Sequence, residues 1–360
     1  MKLQAITGSL AESGCKFPSI DLLQPADPFL DTTGEDLRRR IFITQENTGK
    51  TLCLRPEFTI PVCLAHLKQG DNTGRYAYAG SVFRQRDKEP QEFTQAGFED
   101  FGDQNRLKAD INCINIAIKT LQQAGQQNLG LTLGDQSIFS DLLEALDIPS
   151  AWRKKLTRNF GDTELLIENL SVMYTMDEEF LTNIPKEYHA LLENADTQRL
   201  EALIGERMSE DGLSPTFGRT PNAIADRLMQ KLELSSAALD EEKYNLLQSF
   251  LAIDVTLADA PLALAQYQKA SGLDLKSGQE RLAAMAKAIS EYVGDARYRA
   301  NFGRRLDYYT GLVFEIYSGG SQKPLIGGGR YDQLMTLLGS PKEIPAVGFS
   351  IWVDRLEAAL

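Results

Sequence analysis

Polar side chains at strand-like spacing occur in the segment QAGFE, residues 95–99. Side chains alternate between the two faces of a strand, so Gln95, Gly97 and Glu99 would share one face. That face would offer an amide and a carboxylate on either side of a gap, where a small ligand could lie. The pattern is equally typical of the solvated face of a sheet, and spacing alone leaves both interpretations open.

Two further polar stretches could contribute to such a site. Arg84, in FRQR, follows a strand-like run and could bind a carboxylate or phosphate through paired hydrogen bonds, although a surface ion pair is the alternative. In LRPEFT, Arg55, Glu57 and Thr59 alternate, and Pro56 predicts an edge strand or the start of a strand. Glu57 and Thr59 could hold an ammonium group, and the alternative is a turn with solvated polar groups.

Aromatic and glycine residues cluster in two later stretches. In LDYYTG, Tyr308 and Tyr309 precede an apolar run, which indicates either a hairpin with a Thr-Gly turn or tyrosines that line a pocket. GGGRYDQL at 327–334 lacks the Lys-Ser/Thr of a P-loop and the spacing of a dinucleotide-binding motif. It predicts either a tight turn or backbone kept free of side chains where another group approaches closely.

Composition limits the classes of protein that fit. The 360 residues have 42% hydrophobic and 24% charged side chains, which is typical of a globular protein. The formal net charge of −12 argues against non-specific nucleic-acid binding, and two histidines make a histidine-based metal site unexpected. Four cysteines without a CxxC pair indicate reduced thiols in a cytoplasmic protein. We find no signal peptide and no apolar run near the ~20 residues of a membrane span.

The hydrophobic pattern predicts an α+β fold with a mainly antiparallel sheet flanked by helices. Residues 75–85 and 92–102 should form a hairpin, and RYRANFGRR should pair with LVFEIYSG around LDYYTG. GGGRYDQLMTLLG should be a glycine turn that leads into a helix, and AVGFSIW should be a strand that leads into the last helix. Residues 1–149 and 273–360 are expected to form one core domain, and 150–272 an all-helical insertion.

The order of these segments resembles the catalytic core of histidyl-tRNA synthetases, which have the class II aminoacyl-tRNA synthetase fold. LDYYTGLVFE and GGGRYDQL are similar to the two histidine-specific signatures of that family. RYAYAGSVFRQRDKEPQEFTQAGFEDFG is similar to class II motif 2, VGFSIWVDRLEAAL to motif 3, and FPSIDLLQPADPFLD to motif 1. The resemblance covers nearly the whole chain.

The resemblance implies a set of ligand-binding residues. Glu57, Thr59 and Gln95 would meet the α-ammonium group of histidine. Arg304 would meet the carboxylate, with Arg84 near the carboxylate or another anion. The imidazole would meet Glu99 and Tyr309, with Tyr308 and Tyr331 also in the histidine-binding set. An imidazole N–H needs an acceptor, which a glutamate supplies.

Several departures from the synthetase pattern concern catalysis. Arg86 stands where the family has glutamate, and the loop DKEPQE lacks the arginine that the family supplies there. Trp352 replaces a small glycine that floors the ATP pocket, and Arg305 replaces the glycine after Arg304. Because amino-acid activation needs preorganised arginines at the α-phosphate, we expect no adenylation and no aminoacylation. The sequence stops five residues after Arg355, so we also expect no anticodon-binding domain.

Retained histidine contacts and lost catalytic contacts resemble the regulatory subunits of ATP phosphoribosyltransferase. The resemblance implies a non-catalytic subunit without a cofactor, which activates the short-form catalytic subunit in the first step of histidine biosynthesis and senses L-histidine for feedback inhibition. It also implies a self-dimer through a class II-like interface and a hetero-octamer of four plus four chains, with no tRNA and no membrane as partner. The alternatives are a free-standing histidyl-adenylate-forming ligase and a scaffold with a vestigial pocket.

Overall fold

The computed structural model describes residues 2–87, 89–175, 184–212, 220–235, 239–289, 292–304, 306, 308–319 and 321–358. Contacts divide the chain into two compact units. The first comprises Met1–Leu142, Phe160–Asp162 and Phe250–Leu360, and the second comprises Leu143–Asn159 and Thr163–Ser249. The predicted limits of a helical insertion at residues 150 and 272 stay a prediction.

Two sheets form the first unit. The small sheet has the order β1-β3-β2, with antiparallel strands β1 (Leu23–Pro25), β2 (Ile43–Gln45) and β3 (Thr51–Leu54). The strands of the large sheet are β4 (Gly74–Phe83), β5 (Glu92–Phe101), β6 (Leu129–Asp135), β7 (Asp254–Thr256), β8 (Asp295–Arg299), β9 (Leu312–Ser318), β10 (Ile326–Arg330) and β11 (Ala346–Trp352). Within the described residues their order is β4-β5-β11-β10-β9-β6-β8-β7, and every pair except β6–β8 is antiparallel.

Helices precede, interrupt and follow these strands. Those before the second unit are α1 (Lys2–Glu12), α2 (Asp27–Thr32), α3 (Glu35–Arg38), α4 (Thr59–Gln69), α5 (Arg106–Gln123) and α6 (Gln136–Ala145). Those that begin in the second unit are α7 (Ser150–Arg158), α8 (Thr163–Thr175), α9 (Lys186–Glu193), α10 (Thr197–Glu210), α11 (Pro221–Ser235) and α12 (Glu241–Leu251). The last are α13 (Ala260–Ser271), α14 (Lys276–Ile289), α15 (Leu334–Leu337) and α16 (Val353–Ala358). None of these described helices has the length and apolar character to cross a membrane.

The hairpin of β4 and β5 forms one end of the large sheet, with β11 on the other side of β5. The hairpin confirms the prediction for residues 75–85 and 92–102, and places Gln95 opposite Gly80. Helix α5 follows β5 in the chain. It begins where the side chain of Asn105 accepts the N–H of Lys108 at 3.1 Å, and the chain turns at Gly125 with φ 93°. The predicted class, α+β with a mainly antiparallel sheet, is confirmed.

One predicted strand pairing and one predicted turn are wrong. RYRANFGRR does not pair with LVFEIYSG, because β6 lies between β8 and β9 and bonds to both. GGGR is not a turn but most of strand β10, which pairs with β9 and β11 on its two sides. In both cases the partner is distant in sequence, so local pattern carries no information about it.

Candidate functional site

A cavity of about 40 Å³ lies on one face of the large sheet. All nine residues proposed from the sequence line it: Glu57, Thr59, Arg84, Gln95, Glu99, Arg304, Tyr308, Tyr309 and Tyr331. A second cavity, of about 270 Å³, shares four lining residues with the first, namely Leu37, Arg84, Arg304 and Leu306. The fold therefore gathers the candidate residues from distant segments and sets them beside a larger open space.

Glu57 lies between β3 and α4 and caps the helix. Its carboxylate accepts the backbone N–H groups of Thr59 at 2.6 Å and Ile60 at 2.9 Å, which a helix start leaves without intrahelical partners. Burial raises the pKa of Glu57, and the hydrogen bond from Ile60 and the nearby Arg84 oppose this shift. The prediction that LRPEFT alternates as a strand is wrong here, because β3 ends at Leu54 and Thr59 begins α4.

Glu99 is buried on β5 and surrounded by hydroxyl groups. Its Oε1 accepts the hydroxyl of Thr59 at 2.7 Å and that of Tyr78 at 3.4 Å, and its Oε2 accepts the hydroxyl of Tyr331. Burial raises the pKa of Glu99 to about 8, although the hydroxyls of Tyr331 and Thr59 oppose the shift. At pH 7 the carboxyl group therefore carries a proton, which it can share with a basic ligand.

Gln95 faces the cavity from the same side of β5 as Glu99, as the alternation predicts. Its Oε1 is buried and has no hydrogen-bond partner in the part of the chain that the structure describes. Buried carbonyl oxygens normally have a partner. Gln95 thus presents an acceptor that suits an N–H group of a ligand.

The space above Gly97 holds a side chain of the protein itself. A Cβ atom at this position would overlap the ring of Tyr78, which lies opposite Gly97 on β4. The Tyr78 ring stacks on Phe58 with centroids 4.5 Å apart, and its hydroxyl lies 2.8 Å from the Ser350 hydroxyl. The prediction that a ligand lies over Gly97 is therefore wrong, and Tyr78 is a wall residue that the sequence analysis missed.

Arg304 is a basic residue of the cavity wall. Its Nε lies 3.4 Å from the carboxylate of Glu315, and its Nη1 donates to the hydroxyl of Tyr309 at 3.5 Å. A Cβ atom at Gly327 would overlap the guanidinium, and one at Gly329 would crowd the Tyr309 ring. The glycines of β10 are thus needed because side chains approach the bare strand closely, which was one of the two predicted interpretations.

Arg84 also lies at the cavity, at the end of the hairpin. Its Nε donates to the carbonyl oxygen of Pro56 at 2.7 Å. Burial lowers the pKa of Arg84 to about 10, and Glu57 opposes that shift. The side chain remains a cation at pH 7, and it faces both cavities rather than forming a surface ion pair.

Three tyrosines form the wall next to these charged groups. The ring of Tyr308 lies 5.1 Å from that of Tyr309 and 5.7 Å from that of Tyr331. Burial raises the pKa of all three phenols, to about 12 for Tyr309, so they are neutral hydrogen-bond donors at pH 7. A neutral aromatic wall suits a small planar ring.

Trp352 occupies the edge of the cavity, opposite Gln95 in the register of β11 and β5. The guanidinium carbons of Arg304 and Arg355 lie 5.5 and 4.5 Å from the centroid of the indole ring. Arg355 also donates to the carbonyl oxygen of Pro324 at 2.9 Å. The indole and its two cations therefore fill space that a glycine would leave open.

The charges around the cavity suit a zwitterion. Glu57 and Glu99 line the cavity together with Arg84 and Arg304, and hydroxyl and amide groups complete the lining. Among the described residues, no three histidine, cysteine, aspartate or glutamate side chains form a group that could hold a metal ion. The arrangement can bind a small amino acid with a polar ring by hydrogen bonds and charge.

Comparisons with known proteins identify the family. A family model described as histidyl-tRNA synthetase matches residues 16–164 and 186–356. An ATP phosphoribosyltransferase regulatory subunit from Mesorhizobium japonicum is 47% identical over 359 residues, which cover 98% of this chain and 95% of that protein. A protein of the same name from Rhizobium meliloti is 46% identical over 346 residues, covering 94% of this chain and 91% of the relative.

Solved structures show the same fold at low sequence identity. A protein from Bacillus halodurans, described as an ATP phosphoribosyltransferase regulatory subunit/histidyl-tRNA synthetase, has a TM-score of 0.66 and 19% identity, covering 100% of this chain and 78% of that one. Histidyl-tRNA synthetase from Nostoc sp. has a TM-score of 0.63 and 16% identity, covering 99% and 70%. The fold is therefore that of the class II synthetases, and the chain belongs to the family of ATP phosphoribosyltransferase regulatory subunits.

Proposed function

We propose that this chain activates the short-form catalytic subunit of ATP phosphoribosyltransferase and binds L-histidine to inhibit it by feedback. The observation that carries the sensor role is the convergence of all nine candidate residues, two acidic and two basic ones among them, on one cavity. Family membership supports the activating role. Feedback is then a coupling free energy between the histidine site and catalysis on the partner.

Each part of histidine has a matching group in this proposal. The ammonium group would bind Glu57, Thr59 and the unsatisfied Oε1 of Gln95. The carboxylate would bind Arg304, with Arg84 nearby, and the imidazole would bind Glu99 and Tyr309 between the other two tyrosines. Because the cavity of about 40 Å³ is small, histidine entry would require the side chains shared with the adjoining cavity of about 270 Å³ to move.

We propose that the chain has no aminoacylation activity of its own. Arg86, which stands where synthetases have glutamate, pairs with Glu89 at 3.1 Å and stacks over the Phe93 ring at 3.4 Å. Trp352 and its neighbour Arg355 fill the edge of the cavity. In this proposal, Arg86 is engaged by Glu89 and Phe93, and Trp352 and Arg355 occupy the space where adenine would rest.

The proposed assembly is a cytoplasmic hetero-octamer of four regulatory and four catalytic chains, in which regulatory chains pair through a class II-like interface. Exposed apolar side chains around the small sheet support that pairing. Phe17 is 47% exposed, Leu22 49%, Leu23 50% and Ile43 53%. A second copy of the sheet would cover this apolar surface.

The test is to mix the purified chain with a short-form catalytic subunit and follow phosphoribosyl-ATP formation with and without histidine. We expect activation by wild type, inhibition by histidine, and a raised inhibition constant for histidine in Glu99→Gln and Tyr309→Phe. Tyr298→Phe is the matched control, because Tyr298 is buried on β8 outside the cavity and its hydroxyl has no partner among the described residues. If both pocket variants activate the catalytic subunit and keep full inhibition by histidine, the chain is a scaffold with a vestigial pocket. Histidine-dependent ATP–pyrophosphate exchange would indicate a ligase.

A further inference from the structure

The motif GGGRYD contains two charged residues that do not reach the cavity. Gly327 borders the cavity, so the alternation along β10 directs Arg330 to the opposite face of the sheet, where α5 packs. There Arg330 donates to Asp110 of α5 at 2.9 Å from Nε and 2.6 Å from Nη2. Its Nη1 donates to Asp332 at 2.8 Å, and all three side chains are buried.

This buried network continues into the backbone on both sides of Tyr331. The carbonyl oxygen of Arg330 accepts the N–H of Thr310 at 2.8 Å. The N–H of Asp332 donates to the hydroxyl of Thr310 at 3.1 Å. Thr310 directly follows Tyr309, and it is hydrogen-bonded to Arg330 and Asp332, the two neighbours of Tyr331.

A second anchor holds the same segment against β11. Asp332 Oδ1 accepts the N–H of Ala346 at 2.9 Å, and the N–H of Tyr331 donates to the carbonyl oxygen of Ala346 at 2.8 Å. Asp332 Oδ2 also pairs with Arg106 at 3.1 Å, and Arg106 pairs with Glu343 at the surface. The network thus runs from an exposed ion pair to the backbone that carries both tyrosines.

We propose that Asp110, acting through Arg330, Asp332 and Thr310, is a positioning residue that holds Tyr309 and Tyr331 in the geometry that histidine binding requires. The inference rests on the proposed histidine site. Tyr331 donates to Glu99, and Tyr309 accepts from Arg304. A shift of this segment would therefore disturb the contacts of Glu99 and of Arg304 together. If the buried ion pair only filled the interior, apolar side chains could often replace it. The hydrogen bonds on both sides of Tyr331 therefore indicate a role in holding that segment in place.

Two variants and one control test this proposal in the complex with the short-form catalytic subunit. Asp110→Asn keeps an acceptor for Arg330 but removes the charge, and Thr310→Val removes only the acceptor for Asp332 N–H. Glu343→Gln removes the exposed end of the same network, where the side chain is 47% exposed. Titration calorimetry gives the histidine dissociation constant, and the urea midpoint gives the stability of each variant.

We expect the histidine dissociation constant to rise about tenfold or more in Asp110→Asn and less in Thr310→Val, with no change in Glu343→Gln. A variant that only loses folded protein would lower activation and inhibition together. A positioning role should instead change the inhibition constant for histidine by a larger factor than the activation constant. If Asp110→Asn does not fold, the same two constants are compared between Thr310→Val and wild type. Wild-type binding with unchanged affinity in the folded variants would overturn this inference alone, whereas no binding by the wild-type complex would overturn the proposed function as well.

Discussion

In the proposed site Glu99 and histidine share one proton, so histidine affinity should pass through a maximum near neutral pH. Burial raises the pKa of Glu99 to about 8, and a free imidazole has a pKa near 6.5. Between these two pKa values Glu99 is protonated and the imidazole of free histidine is neutral, so the shared proton comes from Glu99. Glu57, Arg84 and Arg304 complete the charges around the pair, and the phenols of Tyr78, Tyr309 and Tyr331 remain neutral throughout this range.

The size of the effect follows from the two pKa values. At pH 9 about nine in ten Glu99 carboxyls have lost the proton, and a buried anion would face a neutral ring, so affinity should fall about tenfold through this group. At pH 5 both partners are protonated and one proton must leave, which should weaken binding about thirtyfold. The α-ammonium group of histidine also titrates at alkaline pH, so the contribution of Glu99 has to be isolated.

Calorimetric titrations in buffers of different ionisation enthalpy measure both affinity and proton exchange. Wild type should take up about one more proton per histidine at pH 9 than at pH 7, and should release one at pH 5. Glu99→Gln keeps a neutral polar side chain and removes the titration, so it should retain only the alkaline loss that the ammonium group causes. Equal alkaline loss of affinity and equal proton uptake in wild type and Glu99→Gln would refute the shared-proton argument.

Further predictions concern stability, space and assembly. The folded chain holds the Glu99 proton more tightly than the unfolded chain, so wild-type stability should fall from about pH 4.5 to about pH 8, by at most on the order of 5 kcal/mol. Urea unfolding at pH 5 and pH 8.5 should therefore show Glu99→Gln gaining stability relative to wild type at the higher pH. Gly348→Ala should abolish histidine binding in calorimetry, because its Cβ atom would overlap Glu99, whereas Gly8→Ala, with open space around it, should leave binding unchanged. Leu23→Ser should shift the chain towards monomer in sedimentation velocity, and unaltered dimerisation would contradict the proposed class II-like interface.

Features with local causes could be predicted from the sequence. The β4–β5 hairpin and the shared face of Gln95 and Glu99 follow from alternation. The set of residues around the cavity came from the order of the motifs, which the resemblance to synthetases supplied. Spacing within single motifs left each of those assignments open.

Features with distant causes could not be predicted in this way. Three consecutive glycines have no side chains to favour a strand, and β10 exists because β9 and β11 bond to its two edges. Pro56 was expected in an edge strand or at the start of a strand, but β3 has already ended at Leu54. The helix that follows was missed because Pro61 lies in its first turn, where proline is tolerated. Tyr78 was missed because its position over Gly97 depends on the register of the hairpin.

One face of β11 contains residues of both proposals, the histidine site and the loss of adenylation. Gly348 lies opposite Glu99 and leaves room for its carboxylate, and Ser350 lies opposite Gly97 and binds the hydroxyl of Tyr78. Two residues further on, Trp352 fills the edge of the cavity. Because alternate residues of a strand share a face, a large side chain at this third position would close an ATP site without moving the first two. The proposed loss of adenylation is thus compatible with the proposed histidine site, because the two depend on different positions of the same strand face.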